Sequence, residues 1–460
     1  MTTGERVALL LRDGPDFISA FLGAAKIGAV AVPVSTFARP AELAFLLGDS
    51  GAAVAIVEGD LVDTVLATGI GLRALVTTGV ARQEAIALEG LLRDVRLPLA
   101  AAETRGDDMC FWQYSSGTTG SPKAVIHLHE RARFPAVAHA RHVVRLREDD
   151  RVYSTAKLFF SYGLNNSLVI PLAVGASAVL DPERFDPEPA WSLIARERPT
   201  VLYSVPTAYA ALLAAAEAGE GGDVSSLRLC VSAGEALPGP LLERWSRRFG
   251  LPILDGIGST EIGYIAISNT EDDIVPGSSG RPIPGYAAKV ADPSGRELPE
   301  GEDGALWVRG GSTAAGYHGA PERSAAAFRE GWIVTGDRYR VTDGHFFYLG
   351  RDDDMLKVAG QWVSPLEVES ALAAHPDVLE SAVVGRADAD GLLKPAAFVV
   401  PKDRDRSAAA LAAELERCAA ERLARHKRPR WIEVIDALPK TPTGKVQRYL
   451  LRERAARSDR

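Results

Sequence analysis

The sequence predicts an α/β fold. A large N-terminal domain of βα-type sheets, with a small β-rich subdomain, spans residues 1–350, and a small α+β domain follows over 351–460. Three observations predict it. Helix-period and strand-like segments alternate through the first part of the chain, the pattern of a mainly parallel sheet covered by helices. Between Pro276 and Gly350 the texture changes to short strands with frequent Gly/Pro turns. From Arg351 onward a further set of helices and strands makes a unit of a size that folds on its own.

In chain order, residues 16–28 are helix-like, Val30-Ala31-Val32-Pro33-Val34 strand-like, 40–49 helical, and 53–57 a strand. Met109-Cys110-Phe111-Trp112 and Ala124-Val125-Ile126 are apolar runs that read as strands. A second alternating stretch holds a strand at 176–180, a helix at 189–197, a strand at 201–204, a helix from Thr207 and a strand at 227–232. The last unit reads as a helix at 365–374, strands at 379–384 and 396–400, a helix at 406–423 and a strand at 431–435. An extended Pro-rich loop at 439–444 follows, and 452–460 reads as a fraying, solvated helix end.

Composition excludes several classes. With 460 residues, 47% apolar and 24% charged, the chain reads as globular and soluble. A net charge of −8 argues against a nucleic-acid partner. Cys110, Cys230 and Cys418 are far apart and without metal spacing, which fits a reducing cytosol. No apolar run reaches membrane-spanning length, and Glu5, Arg6, Arg12 and Asp13 break up any signal-peptide pattern. Cytoplasmic localisation, no membrane and a monomer or homodimer are the expectation. His127 and His129 have the parity of one strand face but find no third ligand, so packing is expected of them.

The segment richest in chemistry is Tyr114-Ser115-Ser116-Gly117-Thr118-Thr119-Gly120-Ser121-Pro122-Lys123. Backbone N–H groups, hydroxyls and one lysine in a single loop suit a polyphosphate. It is not a Walker A loop, because its glycines are three positions apart and a strand follows rather than a helix. Asp255-Gly256-Ile257-Gly258-Ser259-Thr260-Glu261 fails as a dinucleotide motif, since Glu261 stands at the sixth position of the pattern. A hydroxyl beside a carboxylate suits a magnesium nucleotide; the alternative is a helix N-cap at Ser259 or Thr260.

Together these segments resemble the adenylate-forming superfamily of acyl- and aryl-CoA synthetases, peptide-synthetase adenylation domains and luciferases. The resemblance implies ATP, Mg2+ and coenzyme A as co-substrate, with the phosphates on Ser115, Ser116, Gly117, Thr118, Thr119, Gly120 and Lys123. It puts Thr260 on a phosphate oxygen and Glu261 on the magnesium. Gly234-Glu235-Ala236 resembles the adenine-side segment, completed by Asp255, Gly256 and Ile257. Asp337, in Thr335-Gly336-Asp337, and Arg351 are implied at the ribose. Asp353 is implied as the hinge about which a mobile C-terminal domain turns, with Lys357 and Gly360 on the coenzyme A channel. Lys445, in Pro439-Lys-Thr-Pro-Thr-Gly-Lys445, is implied as the cation that neutralises charge as carboxylate attacks the α-phosphate.

Lys157-Leu-Phe-Phe160-Ser161-Tyr162-Gly163-Leu-Asn165, with 255–261 and Ile267-Ser268-Asn269, is similar to the benzoate-CoA ligase branch. Phe160, Ser161, Tyr162, Gly258, Tyr264 and Ile265 are then the aryl pocket. Ser161 and Tyr264 stand where that branch usually has alanine and histidine. They lead us to expect a benzoate bearing a hydroxyl or amino group; the alternative is that Ser161 bonds a backbone carbonyl and Tyr264 fills volume. The start near Gly4-Glu5-Arg6-Val7 reads as N-terminally short relative to the branch. The implied function is ATP-dependent activation of an aromatic acid to aryl-AMP and transfer to coenzyme A. The alternative acceptors are a carrier-protein thiol or a hydroxyl or amine, and a nucleotide-binding pseudoenzyme is the reading from another class.

Overall fold

The computed structural model describes residues 1–79, 82–93, 95, 98–115, 122–352, 354–358, 361–388, 391–440 and 446–457. These make two compact units, Met1–Ala288 with Trp307–Thr335, and Lys289–Leu306 with Gly336–Arg460.

The first unit is built on two sheets. One has eight strands in the order Gly316–Tyr317, Lys123–Leu128, Met109–Ser115, Val30–Pro33, Arg6–Leu10, Val54–Glu58, Ala74–Thr78 and Ile86–Ala87. Its central strands are parallel, as βα alternation requires, and their Val/Ile/Leu/Ala runs are buried. The helix Pro15–Lys26 starts with Pro at its first turn and buries Phe17, Phe21 and Ala24, one face at four- and three-residue spacing. The phosphate-loop strands depart from the parallel pattern: Met109–Ser115 and Lys123–Leu128 pair antiparallel, with Ser115 opposite Lys123.

The other sheet has seven strands in the order Arg281–Pro282, Ile265–Ser268, Ile253–Gly258, Leu229–Ser232, Val201–Ser204, Arg151–Ser154 and Ser177–Val179. The five from Ile253–Gly258 to Ser177–Val179 run parallel in register, with Ser204 opposite Ser232 and Ser232 opposite Asp255. Loops 155–160, 205–207, 233–237 and 259–263 therefore leave the sheet at the same, C-terminal strand ends, where open α/β sheets bind ligands. Trp191, Tyr209, Leu212 and Trp245 fill the core on one face of this sheet. A further sheet of five strands draws on segments between Tyr286 and Arg351, the stretch whose Gly/Pro texture predicts short strands.

In the second unit, Val378–Ala387 pairs antiparallel with Leu393–Pro401, which pairs parallel with Trp431–Val434. Strand alternation divides the core. Val383, Ala397 and Val399 pack with Leu372, Leu411 and Leu415 of the helices Pro365–Ala373 and Ala408–Arg422. Ala382, Val384, Phe398 and Val400 pack with Leu451 and Ala455 of the helix Arg448–Arg457. The C-terminal segment is thus a docked helix, contrary to the expected fraying end: its i, i+4 pair Leu451 and Ala455 is buried, a signal masked in the sequence by surrounding arginines.

Candidate active site

The two ends of the phosphate loop, Ser115 and Lys123, are brought to the turn that carries Glu261. Ser115 Oγ donates to Glu261 Oε1 at 3.1 Å, and the Tyr317 hydroxyl donates to the same oxygen at 3.0 Å. Lys123 Nζ lies 5.0 Å from the centroid of the Tyr317 ring, a cation–π contact with the same tyrosine. The backbone explains the convergence. Gly316–Tyr317 pairs with Lys123–Leu128, and Ala314 N donates to Glu261 O at 2.8 Å. Tyr317 is absent from the sequence-derived site, and only the Gly316-Tyr317 pairing with a strand nearly two hundred residues earlier reveals it.

Thr260 and Glu261 sit in a tight turn rather than at a helix N-terminus. Ser259 Oγ accepts from Ile262 N at 3.2 Å, and Gly263, with a φ of +90°, closes the turn onto the strand Ile265–Ser268. Among the described residues, hydrogen-bond donors reach Glu261 through Oε1, so Oε2 keeps its lone pairs. A carboxylate oxygen beside hydroxyls offers the oxygen ligands that a hard cation such as Mg2+ takes. Ser116, Gly117, Thr118, Thr119, Gly120, Asp353, Gly360 and Lys445 lie outside the described residues.

On the adjacent loop, Gly234 has a φ of +91°, a conformation that favours glycine. Glu235 accepts from Thr207 Oγ1 at 3.3 Å, and Ala236 is half-buried beside it. Asp255 is buried; its Oδ2 accepts from Leu237 N at 3.5 Å. Burial pushes its carboxyl up to about 8 against the pull of the Ser232 hydroxyl and the Leu237 and Gly256 N–H groups. Gly256 is close-packed, since a Cβ there would stand 2.8 Å from Ile265 Cγ2. Ile257 pairs with Ile267 across the hairpin.

The expected pocket residues share one wall. Tyr162 stacks on Tyr264 at 6.1 Å between ring centroids, and a Cβ on Gly258 would stand 2.4 Å from Tyr264 O. Phe160 packs edge-on against Phe159 at 4.5 Å, and Ile265 is buried opposite Gly258. Both unusual hydroxyls are already engaged. Ser161 Oγ donates to Gly263 O at 2.9 Å, the backbone bond of the alternative reading, which leaves its lone pairs to accept. Tyr264 donates to Asn166 Oδ1, so it is a hydrogen-bonded wall rather than mere volume. Asn165 Nδ2 also donates to Gly263 O, at 3.0 Å. Asn165 closes the segment singled out in the sequence, and Asn166, which accepts from Tyr264, lies one residue beyond it.

The pocket segment is anchored from beneath. Asp13 accepts from Leu158 N at 2.9 Å, and Lys157 donates to Asp181 O at 2.7 Å. Burial raises the Asp13 carboxyl to about 7, against the Leu158 N–H and the Lys157 charge. Gly163 is compulsory here: a Cβ would stand 2.1 Å from Lys157 O.

His127 and His129 do not share a strand face, because the strand ends at Leu128 and His129 begins a short helix. His127 stacks on Phe111 at 4.5 Å, and burial drives its imidazole down to about 3. His375, Asp377 and Glu414 in the second unit come close enough to suggest a metal. Arg406 pairs with both carboxylates and His375 with Glu414, so that cluster is already an ion-pair network.

In the second unit, Asp337 and Arg351 face each other on paired strands, and Arg351 Nη1 donates to Asp337 Oδ1 at 3.0 Å. Lys357 is exposed on the strand Leu356–Val358.

Known proteins share this arrangement of the chain. The AMP-binding enzyme family matches residues 1–318, and the AMP-binding enzyme C-terminal domain matches 367–445. The benzoate–CoA ligase of Thauera aromatica is 46% identical over 454 residues, 97% of this chain and 85% of that protein. The 4-hydroxybenzoate–CoA/benzoate–CoA ligase of Rhodopseudomonas palustris is 42% identical, over 98% of this chain and 84% of that one. The crystal structure of the anthranilate CoA ligase AuaEII in complex with anthranoyl-AMP superposes with a TM-score of 0.93 at 40% identity, covering 100% of this chain and 89% of that one. No helix among the described residues is long and apolar enough to cross a membrane.

Proposed function

The chain belongs to the AMP-binding enzyme family and is an AMP-forming acid–thiol ligase of the benzoate-CoA ligase-like branch, and from that premise we propose how its residues divide the work. The substrate is a benzoate-sized aryl acid, activated to aryl-AMP and passed to coenzyme A. The observation that carries this reading is the Ser115–Glu261–Tyr317 cluster with Lys123 beside it, placed at the strand ends where the aryl wall also lies.

Residues 115–123 hold the ATP phosphates, with Thr260 on a phosphate oxygen. Glu261, held by Ser115 and Tyr317, is the residue that would hold Mg2+, which supplies charge neutralisation on the phosphates when bound. Gly234, Glu235 and Ala236, with Asp255, Gly256 and Ile257, form the adenine side, and Asp337 and Arg351 serve the ribose. Arg351 Nη1 donates to Asp337 Oδ1, which holds the two side chains together. Lys445 brings its charge to the α-phosphate as the carboxylate attacks; two anions otherwise repel strongly at bonding distance. The small domain, 351–460, then turns about Asp353, withdrawing Lys445 and presenting Lys357 and Gly360 to the thiol.

The ring substituent is a donor. The Ser161 hydroxyl proton is committed to the hydrogen bond with Gly263 O, so its oxygen is left to accept, and a ring hydroxyl or amino group supplies the donor. Incubating the protein with Mg·ATP, coenzyme A and benzoate, hydroxybenzoates and aminobenzoates, with products read by mass spectrometry, tests the whole reading. Aryl-CoA with AMP, largest for a hydroxy- or aminobenzoate, is the expected result. Aryl-AMP without aryl-CoA would transfer the second step to a carrier-protein thiol or another acceptor.

A further inference from the structure

Glu261, Ile262 and Gly263 lie in a turn whose carbonyls are held one after another. Ala314 N donates to Glu261 O at 2.8 Å, and Ser312 Oγ donates to Ile262 O at 2.6 Å. Ser161 Oγ and Asn165 Nδ2 donate to Gly263 O. Successive peptide planes of the turn are thus oriented by groups remote in the chain. The Tyr317 hydroxyl reaches Glu261 Oε1, so the residues 312, 314 and 317 of one short run contact the turn at three points.

Ser312 is where that run connects to something deeper. Its Oγ lies 2.5 Å from the Tyr286 hydroxyl. A serine carries a single hydroxyl proton, and that proton is committed to Ile262 O, so Tyr286 donates to Ser312. The order is Tyr286 O–H to Ser312 O–H to Ile262 C=O, a chain in which each bond polarises the next. Tyr286, Ser312 and Ile262 are 9%, 2% and 0% exposed. Burial raises the Tyr286 phenol above its ordinary value, so it stays a donor through neutral pH. Its ring is wedged in place: a Cβ on Gly310 would stand 2.2 Å from Tyr286 Cδ1, and Phe134 packs edge-on at 5.4 Å. On the other side of Ser312, Arg131 Nη1 donates to Thr313 O at 2.7 Å.

Stability alone does not account for this chain of hydroxyls. The wedged ring and the Ala314–Glu261 backbone bond hold the run to the turn without them. What the hydroxyls add is a fixed direction for the Ile262 carbonyl, one residue beyond Glu261. We propose that Ser312, oriented by Tyr286, is a positioning residue for Glu261, setting the direction in which its carboxylate meets the divalent cation of a metal nucleotide. This role rests on the reading that Glu261 holds that cation. Groups that orient a metal ligand without touching the metal typically change its affinity by about 10-fold or more.

The complete chain with Ser312→Ala, Tyr286→Phe, the two together, and Glu261→Gln is compared with the parent protein. The probe is α,β-methylene-ATP, which has no scissile α,β-bridge and so undergoes no turnover. Titration calorimetry gives its Kd with Mg2+ and again in EDTA, and the ratio of the two isolates the share of binding that depends on the metal. Ser312→Ala is expected to lower that ratio about 10-fold while the metal-free Kd stays within about twofold of the parent value. Tyr286→Phe keeps the wedged ring and should lower it about threefold; the double variant should match Ser312→Ala alone, because Tyr286 acts through Ser312. A parental ratio in Ser312→Ala, whatever its Tm, overturns the positioning role. A metal-free Kd weakened as much as the Mg2+ one also overturns it, as a general structural effect. A double variant that loses the product of the two single losses overturns the relay from Tyr286. A parental ratio in Glu261→Gln overturns the underlying reading of Glu261 instead.

Discussion

The Ser115 hydroxyl donates to Glu261 Oε1 at 3.1 Å, joining residues 146 positions apart in the chain. That bond links two antiparallel hairpins, each joined to a run of parallel strands. The loop proposed to hold phosphate and the carboxylate proposed to hold Mg2+ come from different sheets, and a second hydroxyl, from Tyr317, donates to the same carboxylate oxygen.

Tyr317→Phe removes one of the two donors on Glu261 Oε1. Hydrogen bonds to a charged group contribute about 1.5–3 kcal/mol, so the expected loss in adenylation kcat/KM is about 10- to 100-fold. Pyrophosphate release at saturating aryl acid, titrated with Mg·ATP, checks it. An unchanged value would mean that Ser115 alone orients the carboxylate.

Ser161→Ala removes the acceptor presented to the ring substituent while freeing Gly263 O, which keeps the Asn165 bond. The ratio of kcat/KM for the preferred hydroxy- or aminobenzoate over benzoate should fall roughly 10-fold, as one neutral hydrogen bond predicts. If both substrates change equally, Ser161 serves the loop and not the substituent.

Gly163→Ala places a methyl group 2.1 Å from Lys157 O and 2.4 Å from Ala156 O, both backbone atoms that cannot swing aside. Overpacking of this kind costs about 1–3 kcal/mol or more. Thermal unfolding should show a Tm lowered by several degrees, whereas Gly23→Ala, where a Cβ meets no atom within 4 Å, should leave it nearly unchanged.

The buried imidazoles of His127 and His139 are driven by desolvation to about 3. A folded-state value below the unfolded value near 6.5 means that the unfolded chain binds the proton first. Each histidine therefore contributes stability that is complete above about pH 6.5 and is lost as pH falls toward 3, about 1.4 kcal/mol by pH 5.5. The carboxyls of Asp13 and Asp255, raised by burial to about 7 and about 8, run the other way: their stability is complete below about pH 4 and is lost as pH rises through those values. The check is comparative. Between pH 7.5 and 5.5, His139→Phe should lose less Tm than the parent protein, and an identical loss would show that His139 does not drive acid destabilisation.

Much of the molecule was legible along the chain because its information is local. The strands at 30–34, 109–112 and 201–204, and the helices at 16–28, 40–49 and 365–374, all lie within a few residues of the observed elements, since apolar period and Pro or Gly punctuation act over one or two turns. The proposed phosphate loop was legible as a connection between two strands for the same reason, Ser/Thr/Gly chemistry framed by two apolar runs, while the antiparallel pairing of those strands was not. The tail was misread because two buried positions among charged ones leave no pattern that distinguishes a docked helix from a solvated one.

The sequence by itself determined the α/β class, the order of elements and the kinds of group available for phosphate and ring. Tertiary structure alone decided which groups share an oxygen, and which hydroxyls are already spent. Tyr317 reaches Glu261 because Gly316–Tyr317 adds to the edge of a sheet begun at Arg6. Ser161 donates its hydrogen bond to Gly263 O by packing equally remote from local pattern. The physical reason is range: propensity and periodicity act between neighbours, whereas a hydrogen bond needs its two atoms within about 3 Å, and only the packed chain sets that distance.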